Sequence, residues 1–259
     1  MGSVLLSSDD GAVRTLTLNR PDARNALTVE LLRALRAAIA QAVDLPDVRS
    51  LVLTGAGKGF CAGADVNAWA EQGPETGDDP WVGEAHGLAV ELASAPLPTI
   101  ALLNGAAVGA GLDLALACDF RVAADVARFA CAYTWLGYPP DVGGTWLLPR
   151  IVGIERAKRF VYTGEFWDAD TALARGLVGE VVPLEHLAAR GAELAAELAA
   201  GPTVAVGQAK RLLDDSPRRS LADQLEAERA AGDVCARTDD HREALAAAAE
   251  RRRPVFRGR

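Results

Sequence analysis

The stretch Thr99–Asp119, TIALLNGAAVGAGLDLALACD, decides how the rest of the chain is read. A β-branched and aliphatic opening runs into Asn104-Gly105, small residues follow, and Gly109-Ala110-Gly111 opens an apolar helical pattern. The pattern predicts buried strand, tight turn and helix N-terminus with no spacer between them. Such a junction gathers free backbone N–H groups at the positive end of a helix dipole, a place suited to an anion or a developing oxyanion. Gly-rich strand-to-helix turns are common in α/β proteins, so the meaning of this one depends on its neighbours.

Working outward, the chain offers 259 residues, half of them hydrophobic and about a quarter charged, enough for one large domain with a sizeable core. The formal net charge of −8 argues against a nucleic-acid binder, which needs clustered Lys and Arg. Cys61, Cys118, Cys131 and Cys235 show no CxxC spacing, so neither disulfides nor a zinc site is expected. The first residues, MGSVLLSSDDG, lack a basic region followed by an apolar run, and no apolar stretch is long enough to span a bilayer; a cytoplasmic protein is expected.

Before the opening stretch, Val13–Leu18 alternates as a half-buried strand. Thr28 is placed to cap a helix with Leu31, Leu35, Ile39 and Ala42 on one face, closed by Pro46. Ser50–Thr54 predicts a buried strand, and the polar segment Gln72–Pro80 predicts a loop ahead of a helix at Trp81–Ser94. Beyond it come a strand from Phe120 to Ala123, an irregular segment, helices near Gly143–Arg150 and Glu155–Thr163, a short helix capped by Asp168 or Asp170, and a strand at Leu177–Val182. After Pro183 only four helical segments remain, whose many Ala and Leu residues favour docking on the core and on another subunit.

Four patches join these elements: NRPDARNAL at 19–27, FCAGAD at 60–65, NGAAVGAGLDLALACD within the opening stretch, and PDVGGTWLLPR at 140–150, with RRRPVFRGR at the end. In this order and spacing the chain resembles the crotonase (enoyl-CoA hydratase/isomerase) superfamily over essentially its whole length. The resemblance implies an α/β fold, a spiral of ββα units over residues 1–200, with an all-helical region at 201–259 that builds trimers and often hexamers. It also implies acyl-CoA thioester substrates, coenzyme A entering as part of the substrate, and no metal or redox cofactor.

By the family's motif, the two oxyanion-hole amides belong to Ala64 and Ala110. Negative charge grows on a thioester oxygen when the adjacent carbon is deprotonated or the double bond is attacked, and two fixed donors stabilise it without reorganising. Small residues at Ala62, Ala64, Gly109 and Ala110 let backbone approach the ligand. The resemblance further assigns the adenine contact to the backbone from Ala62 through Asp65 to Val66, and CoA phosphates to Arg24 and Lys210; for both cations a solvated surface charge is the competing reading.

The family's hydratases hold a water between two glutamates. At those positions this chain carries Asp113 and Tyr133, and a phenol with a pKa of about 10 is a poor base. Asp141 stands where hydratases usually carry glycine, an acid that resembles isomerase branches acting on dienoyl-CoA and ring-opened phenylacetate thioesters, and the aryl-CoA dehalogenases. Asp141 is therefore expected as the acid/base of a double-bond shift, its pKa raised by an apolar wall of Tyr133, Trp135 and Leu136. The competing readings are a helix N-cap for Asp141 and a dipole-stabilising acid for Asp113. His86 is expected to pack, or to line the acyl pocket. An enoyl-CoA hydratase using Asp113 and Asp141 is the alternative function, followed by a dehalogenase and a non-catalytic crotonase-fold binder.

Overall fold

From the third strand to the eighth, successive strands alternate between two sheets, and a helix follows each pair. The computed structural model describes residues 2–65 and 80–259. Strands β1 (Leu5–Asp10), β2 (Val13–Leu18), β3 (Ser50–Gly55), β5 (Thr99–Leu103), β7 (Phe120–Ala124) and β10 (Glu180–Val182) form one sheet in the order β1-β2-β3-β5-β7-β10. The β1–β2 hairpin is antiparallel and every later pairing is parallel. The three-residue strands β4 (Gly59–Cys61), β6 (Ala106–Val108), β8 (Arg128–Ala130) and β9 (Phe166–Asp168) form the second sheet.

The pairs β3–β4, β5–β6 and β7–β8 thus each place one strand in the large sheet and one in the small. They lead to helices α2 (Pro80–Ala93), α3 (Ala110–Leu116) and α4 (Gly144–Val152), the last after a 3-10 turn at Ala132–Leu136. This is the expected spiral of ββα units. The sequence pattern shows β2, β3, β5, β7 and β10 but misses the polar edge strand β1 and the three-residue strands of the small sheet, which carry too little apolar alternation to register.

Helix α1 (Val29–Asp44) is capped by the Thr28 side chain, which accepts from the Leu31 amide at 3.3 Å. Its apolar face buries Leu31, Leu35 and Ile39. From its other face Arg36 pairs with Glu84 and Glu91 of α2, fixing that helix against α1. Helices α5 (Ile154–Thr163) and α6 (Ala169–Ala174) complete the main core. Helix α7 (Leu184–Ala199) covers the outer face of the large sheet with Leu187 and Ala195 against Val52, Ile100, Leu102 and Val122. Burial on both faces explains why β3 and β5 read as continuous apolar runs.

Helices α8 (Thr203–Asp215), α9 (Leu221–Cys235) and α10 (Asp239–Glu250) follow, matching the predicted helical quarter. Leu213, Leu221, Leu225 and Leu245 are exposed on them. The C-terminal tail is strapped back by Asp240, which accepts from the Arg257 and Gly258 amides at 2.6 and 2.8 Å. Among the described residues no helix is long and apolar enough to cross a membrane.

Candidate active site

Backbone builds one side of the site. β4 pairs with β6, which brings the turn after Cys61 against the turn that opens α3. Gly63 has φ +90°, and a Cβ there would lie 2.7 Å from the Val108 carbonyl oxygen and 3.3 Å from the Ala110 nitrogen. Only glycine tolerates both the conformation and the approach. The Ala64 and Ala110 amides donate no backbone hydrogen bond among the described residues, while their neighbours do: Asp65 N to Leu27 O at 3.3 Å and Gly109 N to Ala130 O at 2.9 Å.

The 19–27 loop fastens this turn. Ala62 N donates to Arg24 O at 3.0 Å and Leu27 N to Gly63 O at 2.8 Å. Arg20 pairs with Asp65 at 3.2 Å. Asn25, fully buried, accepts from the Arg20 amide at 2.9 Å and donates to the Ala56 and Gly59 carbonyls at 3.0 and 2.9 Å. Sequence reading singled out neither Arg20 nor Asn25; the signal available was the pair of turn-forming residues in NRPDARNAL, where Arg24 and Asn25 both adopt positive φ. Asp65, expected at the ligand, spends its charge on Arg20. Burial pushes the Cys61 thiol up to about 12, so it packs as an inert neutral group.

Side chains build the other side. Asp113, one turn into α3, is completely buried. The Tyr133 hydroxyl donates to Asp113 Oδ2 at 2.5 Å. Gly144 closes against the same carboxyl, since a Cβ there would overlap Asp113 Oδ1. Burial raises the Asp113 pKa to about 7, the Tyr133 hydrogen bond opposes the rise, and the Asp141 charge adds to it. The Gly144 amide faces the carboxyl and also opposes the rise, without meeting hydrogen-bond geometry, so Oδ1 remains without a partner.

Asp141 sits on the loop before α4, with both carboxylate oxygens buried and without hydrogen-bond partners among the described residues. Burial raises its pKa; its own amide, the His86 ring and the Tyr133 hydroxyl temper the rise. His86 Nε2 lies 2.7 Å from the Asp141 carbonyl oxygen, so the ring donates to the backbone and anchors the loop to α2. The two sides meet at Tyr133, whose ring stands 4.0 Å from the position of a Cβ on Gly109.

Several expectations need correction. Trp135 and Leu136 are 55% exposed each, so they form no wall over Asp141; the Trp135 ring lies instead against Phe166 at 5.3 Å. Tyr133 brings its hydroxyl, rather than an apolar face alone, to the acids. The N-cap of α4 is Gly143, which leaves Asp141 free of the capping role. Lys210 is 10% exposed and paired with Asp119 at 3.0 Å, so its charge is already committed. Arg24 is exposed, with no ion-pair partner among the described residues. Val66 and all of the Gln72–Pro80 loop except Pro80 lie outside the described residues. A cavity of about 1100 Å³ opens between the end of α1, α2, α4 and α8 and reaches the end of α3 at Leu116, but neither Asp113, Tyr133 nor Asp141 lines it. The chemistry is located by polar groups, not by volume.

Comparison with known proteins places this geometry in context. A family described as enoyl-CoA hydratase/isomerase matches residues 8–259. The 1,2-epoxyphenylacetyl-CoA isomerase of Escherichia coli is 38% identical over 264 aligned residues, covering the whole of both chains. The crystal structure of an enoyl-CoA hydratase from Bacillus anthracis is 33% identical and covers 99% of this chain and 100% of its own, with a TM-score of 0.90. A Pseudomonas aeruginosa structure is 48% identical over 88% of this chain and 97% of its own, with a TM-score of 0.83.

Proposed function

The chain belongs to the enoyl-CoA hydratase/isomerase family, and from that premise we propose that it shifts a carbon–carbon double bond in an acyl-CoA thioester by proton transfer. The observation that carries this choice is the Tyr133–Asp113 hydrogen bond at 2.5 Å. It engages one oxygen of the carboxyl that a water-adding pair would need. Asp141 is left as the acid whose oxygens are both unengaged.

In this reading the thioester carbonyl lies between the Ala64 and Ala110 amides. Asp141 takes a proton from the carbon beside the carbonyl, the electron pair spreads onto the thioester oxygen, and the two amides stabilise that charge. Each such donor contributes about 3–4 kcal/mol to the transition state. Asp141 then returns the proton at the far end of the conjugated system. A raised pKa suits both steps, since the group must gain a proton and release it. Arg24 supplies a cation for the CoA phosphates, and no metal or redox cofactor takes part. The exposed leucines of α8 to α10 are the proposed trimer contacts, and the proposed location is the cytoplasm. The similar proteins include both an isomerase and a hydratase, and the two reactions are told apart on this chain by the substrate it accepts.

Purified protein given a 3-enoyl-CoA and, separately, a 2-enoyl-CoA provides the test through the absorbance of the conjugated thioester. The proposal expects absorbance to grow with the first substrate and to hold with the second. Rapid loss of absorbance with the 2-enoyl substrate would mean water addition and would replace this reading with the hydratase.

A further inference from the structure

We propose that Asp113 and Asp141 hold a single proton between them across the Tyr133 hydroxyl, so that the resting site is a singly charged dyad rather than one isolated base. The inference deepens the double-bond-shift reading and rests on it for its role in turnover. Its physical content, one shared proton, stands on the geometry of the free protein.

Four observations carry it. Tyr133 has one hydroxyl hydrogen, given to Asp113 Oδ2 at 2.5 Å. Three further carboxylate oxygens, Asp113 Oδ1 and both of Asp141, are buried without partners. Neither carboxyl has an ion-pair partner among the described residues: His86 turns its Nε2 to the Asp141 carbonyl oxygen, and Cys131 beside Asp113 is a neutral thiol. The Tyr133 hydroxyl also feels both acids, its own ionisation being raised by burial and then by each carboxylate. Two buried anions with one donor hydrogen and no ion pair, only the electrostatic pull of the His86 ring on Asp141, would be poorly compensated, and one added proton relieves that.

With the proton on Asp113, its O–H donates to the Tyr133 oxygen, and the phenol hydrogen is released to turn toward Asp141. Asp141 stays ionised and is the base. When it takes the substrate proton, a C–H bond breaks, an O–H bond forms on Asp141, and the electron pair goes to the thioester oxygen. The reverse transfer at the other carbon breaks that O–H bond and restores the carboxylate. The proton on Asp113 never leaves, and the site carries one negative charge at every stage. Tyr133 and Asp113 are positioning residues in this scheme. Loss of the shared proton adds a second anion beside the forming enolate, so turnover falls as pH rises through the Asp113 transition near 7.

The experiment is a carbon-13 NMR titration of full-length protein labelled at the aspartate side-chain carboxyls, without substrate, with Asp113→Asn assigning the Asp113 signal. Expected is a wild-type midpoint near 7. In Tyr133→Phe, which removes the donor to the ionised form, the midpoint moves up by about tenfold in proton affinity. In Asp141→Asn, which removes the like charge, it moves down. An Asp113 signal that titrates as an ordinary carboxyl, or one that holds still in both variants, overturns the dyad. The pH profile of isomerisation adds a second readout: its alkaline limb should shift upward in Tyr133→Phe, with kcat lowered more than KM changes. A protein inactive on every enoyl-CoA but with the expected titration would sink the proposed reaction and leave the shared proton standing.

Discussion

The amide side and the acid side of this site are specified in opposite ways. The amide side is backbone, held by a glycine at positive φ and by loop-to-loop hydrogen bonds from residues 19–27. Its polar groups are aimed by steric fit, and a single added methyl disturbs them. The acid side is two buried side chains and the half-buried Asp141, and both acids keep buried carboxylate oxygens without partners among the described residues. There, shape-preserving substitutions change charge while leaving the packing in place. Stabilising a developing oxyanion demands fixed donors, whereas moving a proton demands groups that gain and lose one at modest cost.

The amide side breaks at Gly63. Gly63→Ala puts a Cβ 2.7 Å from the Val108 carbonyl oxygen in a backbone conformation that alanine resists, displacing the Ala64 amide. Turnover should fall by about 10²–10³-fold, the cost of a lost oxyanion donor, measured as kcat on a 3-enoyl-CoA. A variant near the wild-type rate would show that the donors are set elsewhere.

A smaller effect sharpens the acid side. The folded pKa of Asp113, about 7, lies above its ordinary value of 3.8. The folded chain therefore binds the extra proton across that window, and its stability declines as pH rises from 3.8 to about 7. Asp113→Asn should flatten the pH dependence of the thermal midpoint across this window, by about 2–4 °C for each kcal/mol involved. An unchanged slope would mean that Asp113 ionises in the fold as freely as in the unfolded chain.

The two turns of the amide side were legible in the sequence as small residues where a strand ends at a helix start, while the choice of Ala64 and Ala110 as donors came from the family resemblance. Asp113 and Asp141 were legible as acids on a helix and ahead of one. The contact between Asp113 and Tyr133 was not, since 20 residues separate them and a tyrosine in a glutamate's position reads only as a departure from the pattern. Asn25 escaped for the same reason: its partners at Ala56 and Gly59 lie over 30 residues away. Trp135 and Leu136 misled because an apolar run next to a site resembles a lining, and only the fold shows which way it faces.

The central claim, that Asp141 moves the proton, is tested most directly by Asp141→Asn, an isosteric change that removes the base. Turnover of a 3-enoyl-CoA should fall by about 10²–10⁴-fold, the usual contribution of a positioned acid–base group, while the dissociation constant of the thioester stays near that of the wild type. Isomerisation at the wild-type rate by Asp141→Asn would contradict the account.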